Sequence, residues 1–354
     1  MSAPVDVVET PAQAAALPLA PLLVLQPLEQ WLDAQGLGSG RLQAVRIGAG
    51  HSNATFLLER TGARVVLRRP PRPPLPPSTH DMLREARVLT ALQGRARVAR
   101  VLAVCPDDDI LGVPFYVMEE LHGDVVTDRL PAPLATAGAR RRAGLDLVDA
   151  LAELHAVDPG SAGLGDFGRP DGYLERQVGR FEALWEHNAT RALPLVGELA
   201  AWLRSELPSS GVACVVHGDY RLGNVMFERT EPRVLALLDW ELATLGDPLA
   251  DLGYLVATYS DADAEPTVLD LSPVTRAPGF PTRAELVERY RERSGRNVGA
   301  LAWYETLALW KAAVFCEGLY GRLLRGETGD SWTASLAEGV PGLLRAAAAT
   351  AARE

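Results

Sequence analysis

The chain has 354 residues, with 45 acidic against 35 basic side chains and a net charge of −10. That balance argues against nucleic acid as a partner, and no apolar run approaches the roughly 20 residues needed to span a bilayer. Three scattered cysteines, Cys105, Cys214 and Cys316, suit reduced thiols in a cytoplasmic protein. The N-terminus lacks a basic start and carries Asp6 and Glu9, which does not read as a signal peptide. Lys311 is the single lysine, so any role calling for a cation elsewhere must fall to arginine.

In chain order, residues 1–20 read as a flexible tail. Leu25, Leu28, Trp31 and Leu32 recur at helical spacing, which predicts a helix over 25–36 closed by Gly36. In the following IGAGHSNATFLLE segment, Gly48 and Gly50 permit a tight hairpin whose amides could approach phosphates. His51, Ser52 and Asn53 stand at its tip, and an ordinary β-turn is the alternative. Residues 64–69 predict a strand whose alternation sends Arg68 and Arg69 to opposite faces. One would then point at phosphates and the other at solvent. PPRPPLPP is a stiff, non-helical linker. Ser78, Thr79 and Asp81 are helix-start residues for a helix over 82–92 that carries Glu85. FYVMEE, Phe115–Glu120, reads as a buried strand turning polar before Leu121. An amphipathic helix is expected over 139–157, with His155 packed, and further helices over 173–187 and 195–207.

The most informative stretch is VVHGDYRLGNVMFERTEPRVLALLDWELATLGDPLAD, Val215–Asp251. Two apolar runs bounded by Gly, Asn and charged residues predict strand, polar loop, strand, with Asp219 and Asn224 in the loop and Asp239 ending the second strand. Asp239 and Asn224 offer hard oxygens of the kind Mg²⁺ takes alongside phosphate oxygens. Asp219 can accept a proton from, or orient, an attacking hydroxyl, which is most of what phosphoryl transfer asks of a protein. Asp251 starts a helix and could accept backbone N–H groups of the HGD loop, and His217 reads as structural.

The order H-G-D-x-x-x-x-N followed by a strand ending in Asp resembles the aminoglycoside phosphotransferase and choline kinase branch of the protein-kinase-like fold. With GLGDFGRPDGYLERQ, the chain resembles more narrowly the kinase-like domain of acyl-CoA dehydrogenase family members ten and eleven. The resemblance implies an α+β, two-lobe fold: a small β-rich N-lobe over 21–120 and a larger helical C-lobe over 121–354, with the site in the cleft. It implies ATP and Mg²⁺ as cofactors and phosphorylation of a hydroxyl on a small molecule, a hydroxyacyl-CoA among the acceptors. In that pattern Gly50, Ser52 and Asn53 cover the phosphates and Arg68 takes the place of the phosphate-contacting lysine, with Glu85 as its partner. Arginine is a rigid fork and not a compact point charge. Backbone groups at Glu119–Leu121 would read the adenine edge, leaving ATP and GTP unseparated. Asp166-Phe167-Gly168 spells a kinase metal motif but precedes HGD, so its order makes it a decoy.

On a helix from Leu301 to Leu324, Lys311 shares a stripe with Tyr304, Leu307, Val314 and Phe315. It is expected to face an anionic part of the acceptor, with snorkelling as the alternative. Aminoglycoside phosphorylation, a non-catalytic nucleotide-binding protein, and a metal-dependent phosphohydrolase built on His217, Asp219 and Asp239 stay open. The oligomeric state leaves no trace in the sequence.

Overall fold

The computed structural model describes residues 5–48, 53–73 and 80–353. The chain divides into two compact units, Met1–Gln93 with Val98–His122, and Gly94–Arg97 with Gly123–Glu354. Residues 94–97 belong to the second unit although the chain on either side of them belongs to the first. Arg97 explains this: its guanidinium pairs with Asp146 at 2.6 Å and Glu153 at 2.7 Å, and its carbonyl accepts the Leu237 N–H. The charge-assisted bonds of one side chain to two carboxylates hold the segment there.

The first unit begins with β1 (Val7–Val8), α1 (Pro11–Ala15), β2 (Leu23–Val24) and α2 (Leu25–Ala34). The expected flexible tail is corrected here: from residue 5 onward the chain is anchored. Val7 and Val8 pair in parallel with Leu23 and Val24, Thr10 closes a capping box with Gln13, and Asp6 meets Arg46 and Arg72 at 2.9 and 2.7 Å. Two short apolar residues find a strand partner, which a composition rich in Pro and Ala did not signal. The helix α2 buries Leu25, Leu28 and Leu32, spaced as one helical face. Its Trp31 meets Phe115 edge-on at 4.9 Å.

These pack on a five-stranded antiparallel sheet of β3 (Ser39–Ile47), β4 (Ala54–Thr61), β5 (Ala63–Arg69), β6 (Val101–Cys105) and β7 (Phe115–Glu119), in the order β3-β4-β5-β7-β6. Strict alternation along β4 turns Ala54, Phe56 and Leu58 inward, where they join Leu67, Phe115 and Val117 in the core. Each such fully buried large side chain contributes about 1.5–3 kcal/mol. The helix α3 (Met82–Leu92) begins at Asp81, whose carboxylate accepts the Arg84 N–H at 2.9 Å; Ser78 and Thr79 lie outside the described residues.

Arg69 is a second correction. It faces away from Arg68, but into protein and not into solvent, with 3% of its surface exposed. Its guanidinium donates to the carbonyls of Pro70, Leu22 and Leu111. Burial, reinforced by Arg72, pushes its pKa down to about 10. The N-terminal segment covers the face that an isolated strand would have left to water.

The second unit comprises β8 (Gly123–Val125), α4 (Ala137–His155), α5 (Tyr173–Asn188), α6 (Pro194–Ser205), β9 (Cys214–Val216), β10 (Val225–Glu228), β11 (Val234–Leu237), β12 (Thr244–Gly246), α7 (Leu249–Thr258), α8 (Arg283–Ser294), α9 (Leu301–Leu324) and α10 (Ser331–Ala351). Its strands form two small sheets, β11-β10-β8 and β12-β9, too short to persist without helices packed around them. The centre is α9, apolar on most of its circumference, with Trp303, Tyr304, Trp310 and Val314 buried. The indoles of Trp303 and Trp310 donate to the carbonyls of Leu203 and Val196 at 3.0 and 3.1 Å, so each large aromatic is buried with its polar atom satisfied. Among the described residues no helix is long and apolar enough to cross a membrane.

Candidate active site

The HGD loop follows β9, whose three residues are all buried. At Gly218 the backbone turns to φ +86°, and a Cβ there would meet the Leu242 carbonyl at 2.7 Å. Only glycine suits both conditions. The two amides around it, His217 N–H and Gly218 N–H, donate to Asp251 Oδ2 and Oδ1 at 2.6 and 2.8 Å. Asp251 is 1% exposed, and His155 Nε2 lies 3.1 Å from the same Oδ2. Burial alone would raise this carboxyl, but the bond to His155 and the His217 N–H outweigh it, and its pKa is lowered. Asp251 is thus held as the anion that fixes the loop. His155 completes this arrangement through Tyr290, its Nδ1 lying 2.8 Å from the phenol.

His217 spans the loop and the strand after it. Its Nε2 donates to the Leu238 carbonyl at 2.8 Å, and its Nδ1 accepts the Asp219 N–H at 3.3 Å. Those two contacts require the neutral tautomer carrying hydrogen on Nε2. The Leu238 N–H in turn donates to the Asn224 carbonyl at 2.8 Å. On the other side, Trp240 Nε1 donates to the Leu237 carbonyl, and its ring lies 4.8 Å from that of His217. The residue between these fixed points is Asp239, at φ +66°. A non-glycine residue in that region is held by its surroundings, and such strain gathers at functional sites.

Asp219 receives Asn224 Nδ2 on Oδ2 at 2.6 Å, and the same nitrogen donates to the Asp219 carbonyl at 2.9 Å. Arg221 Nε lies 3.5 Å from Asp219 Oδ1. With its amide nitrogen so engaged, Asn224 has its carbonyl oxygen to offer a ligand, and Asp239 a carboxylate. These hard oxygens suit Mg²⁺, which takes few protein ligands alongside phosphate oxygens and water. Among the described residues no group of three His, Cys, Asp or Glu comes together as a metal cluster.

Of the nucleotide-side candidates, Gly50 and Ser52 lie outside the described residues. Asn53 is buried, and its Oδ1 lies 2.8 Å from His80 Nδ1; His80 itself sits at φ +60° just before α3. Arg68 Nε lies 3.0 Å from Glu85 Oε1 and 3.2 Å from Oε2, with the Glu85 side chain 2% exposed. The β5 cation and the α3 carboxylate are therefore brought together, in the pairing expected. Glu119 uses its N–H on the Arg100 carbonyl and its carboxylate on the Arg100 N–H at 2.8 Å. Glu120 pairs with Arg64 at 2.5 Å. A base read by this segment would therefore meet main-chain atoms near Leu121. Phe167 of the DFG-like triplet is a buried core residue, and Asp166 is exposed, with neither close in sequence to the metal candidates.

Lys311 projects from α9 toward α5. Its Nζ donates to Gln177 Oε1 at 2.8 Å and lies 4.7 Å from the centre of the Phe181 ring. Burial of the amino end, followed by repulsion from Arg180, lowers its pKa to about 8, with Asp251 acting in the opposite sense. Phe315, one turn on, is exposed. One further residue lies beside Asp219: Arg221, two positions on in the same loop, whose short spacing from the HGD motif is the signal in the sequence.

The phosphotransferase enzyme family model matches residues 43–304. A Ralstonia eutropha JMP134 protein with a provisional aminoglycoside phosphotransferase designation is 30% identical, aligns over 93% of this chain and 98% of its own, and superposes with a TM-score of 0.81. Spectinomycin phosphotransferase in complex with ADP and spectinomycin shares 12% identity over 92% of this chain and 99% of its own, with a TM-score of 0.58, a likeness of fold alone. Rat acyl-CoA dehydrogenase family member 11 is 34% identical over 311 residues, which is 85% of this chain and 40% of that protein; the chain spans about two fifths of such relatives. A family match across most of the chain, with a solved relative covered almost end to end, shows the family and the protein-kinase-like fold together: the chain belongs to the phosphotransferase enzyme family.

Proposed function

We propose that the protein transfers the γ-phosphoryl group of ATP to a hydroxyl of a small anionic molecule, with a hydroxyacyl-CoA as the acceptor class of first choice. The observation that carries the chemistry is the clamp on Asp239. Leu238 gives its N–H to Asn224 and receives the His217 ring N–H on its carbonyl, so the Asp239 carboxylate and the Asp219 loop are held as one piece. In this reading Asn224 Oδ1 and the Asp239 carboxylate hold Mg²⁺, which when bound neutralises charge on the phosphate oxygens. Arg68, aimed by Glu85, binds phosphate oxygens, with Asn53 taking part on the same side. Asp219 orients the acceptor hydroxyl and takes its proton, a role that contributes about 10²–10⁴-fold. Main-chain atoms at Glu119–Leu121 bind the base.

Support for an anionic acceptor comes from Lys311, whose amino group has an amide oxygen and an aromatic face as partners, with Arg180 adding positive charge. A phosphate-bearing thioester acceptor suits that surface, and a polycation is repelled by it. The relatives that are acyl-CoA dehydrogenase family members point the same way. The designation of the Ralstonia protein favours a second reading, aminoglycoside O-phosphorylation.

The test is consumption of MgATP measured across an acceptor panel of hydroxyacyl-CoA thioesters, simple alcohols and aminoglycosides. Acceptor-dependent turnover with the thioesters supports the proposal. Turnover with aminoglycosides alone replaces it with the second reading. MgATP binding with no turnover on any acceptor would make the chain a non-catalytic nucleotide-binding protein.

A further inference from the structure

Beyond Asp219 the HGD loop sends alternate side chains to opposite sides. Tyr220 and Leu222 are buried, and the Tyr220 hydroxyl donates to the Leu147 carbonyl at 2.6 Å. Arg221 lies between them with an extended backbone, φ −153° and ψ 163°, so its side chain leaves on the other side. Its carbonyl accepts the Asn224 N–H at 2.9 Å, which closes the loop behind it. The guanidinium lies against Gly223: a Cβ there would be 3.3 Å from Arg221 Cζ and would overlap Nη1. Two buried neighbours and a glycine therefore set where this cation stands.

It stands beside Asp219. Arg221 Nε is 3.5 Å from Asp219 Oδ1, while Asp219 Oδ2 accepts Asn224 Nδ2 at 2.6 Å. At 3.5 Å the charges attract, but the contact is long for a hydrogen bond. The guanidinium donates no hydrogen bond to protein among the described residues. Other arginines of this chain are used up by the fold: Arg97 bonds Asp146 and Glu153, and Arg69 bonds main-chain carbonyls. The Arg221 and Asp219 side chains are 24% and 23% exposed, so one ligand can reach both. A fixed fork of N–H donors left without acceptors suits the planar, anionic oxygens of a phosphoryl group.

We propose that Arg221 is a catalytic residue that binds the phosphoryl group while it is being transferred. The proposal rests on the phosphotransfer reading above, in which Asp219 meets the acceptor hydroxyl. The acceptor oxygen forms a bond to the γ-phosphorus, the bond from that phosphorus to the β,γ-bridging oxygen breaks, and ADP departs with the electron pair. The hydroxyl proton passes to Asp219, and Arg221 keeps its own protons throughout. The oxygen that gives its proton to Asp219 is the one that bonds phosphorus, so a cation fixed beside this carboxylate meets charge as it develops. A donor held in place before the reaction acts on that charge without reorganising.

The test is calorimetric titration of MgADP with and without aluminium fluoride, which mimics the planar phosphoryl group and calls for no acceptor. Wild type should bind MgADP more tightly when aluminium fluoride is present. Arg221→Met should bind MgADP as wild type does and lose about 10²–10³-fold of that tightening, and Arg221→Lys should lose less. Gly223→Ala, which displaces the guanidinium and keeps its charge, should lose part of it. Tightening retained in Arg221→Met, or absent from a wild type that binds MgADP, overturns the role; retention would leave Arg221 a partner of Asp219 alone. Loss of affinity for MgADP itself in Arg221→Met makes the residue an ordinary nucleotide contact and also overturns it. Failure of wild type to bind MgADP overturns the phosphotransfer reading, and the role of Arg221 with it.

Discussion

Asp251 grips His217 through the main chain, Oδ2 accepting the His217 N–H at 2.6 Å, so the residue that positions the HGD loop lies 34 positions away on the first turn of α7. Removing the carboxylate leaves two buried amides and His155 without their acceptor. Asp251→Ala is expected to destabilise the protein by about 3–5 kcal/mol, the range for breaking a buried charged network by deleting one partner. The pKa of Asp251 is lowered in the fold, so its contribution is present above the ordinary carboxylate range and is lost as pH falls through the lower, folded value. Urea unfolding of both proteins down the acid range should show their stabilities converging; a gap independent of pH would contradict the ionised assignment.

Asp219→Asn keeps an acceptor for Asn224 and the shape of the loop while removing the charge. Turnover should fall by about 10²–10⁴-fold, with the fold and MgATP affinity retained. Near-complete activity with a confirmed acceptor would show that the carboxylate is not needed.

Asp239, proposed above to hold Mg²⁺, also has a left-handed backbone. Replacing it by glycine, which accepts φ +66° freely, should raise stability by about 1 kcal/mol while abolishing the Mg²⁺-dependent part of nucleotide binding. Calorimetric titration of ATP with and without Mg²⁺, beside the unfolding midpoint, checks both halves. Metal-dependent binding that survives intact would remove Asp239 from the metal site.

Arg68 and Glu85, 3.0 Å apart, should behave as a unit in turnover. Each truncation lowers it, and the double variant falls little below the worse single one. Arg68→Lys is expected to lower activity too, since a point charge cannot reproduce a fork-shaped donor. Fully additive losses would show that the pair is not catalytically coupled.

Lys311 carries a pKa lowered to about 8, against 10.5 unfolded. Between those values the unfolded chain binds more protons, so wild-type stability gains with rising pH from this residue. Below about 8 the buried charge is a cost. Lys311→Met should therefore unfold at a higher temperature than wild type near neutrality, with the difference shrinking as pH rises toward 10. If the proposed acceptor contact holds, the same variant raises KM for a hydroxyacyl-CoA and not for MgATP. A change in stability alone would make Lys311 structural.

The order HGD, Asn224, Asp239 and the two apolar strands β9 and β11 were legible in the chain, because glycine, carboxylates and apolar runs leave local signatures; the strand β10, inside the stretch expected to be loop, was not. Legible too were α3 and α9, whose bounds match the periodicity of Met82–Leu92 and Leu301–Leu324. The pairing of Arg68 with Glu85 was legible through the strand-then-helix order of the kinase pattern. Other features needed the folded chain. Arg69 is buried because Leu22 and Leu111, 47 and 42 positions away, offer it carbonyls, and a backbone acceptor has no residue type to announce it. The anchored N-terminus rests on a two-residue strand with a partner at Leu23. The left-handed backbone of Asp239 comes from fixed neighbours on both sides, and α7 comes into backbone contact with α9 at Gly253 because that residue has no side chain. Residue type and spacing decided which groups could do chemistry. The directions those groups face were decided by hydrogen bonds and packing between segments far apart in the chain, which only the tertiary structure brings together.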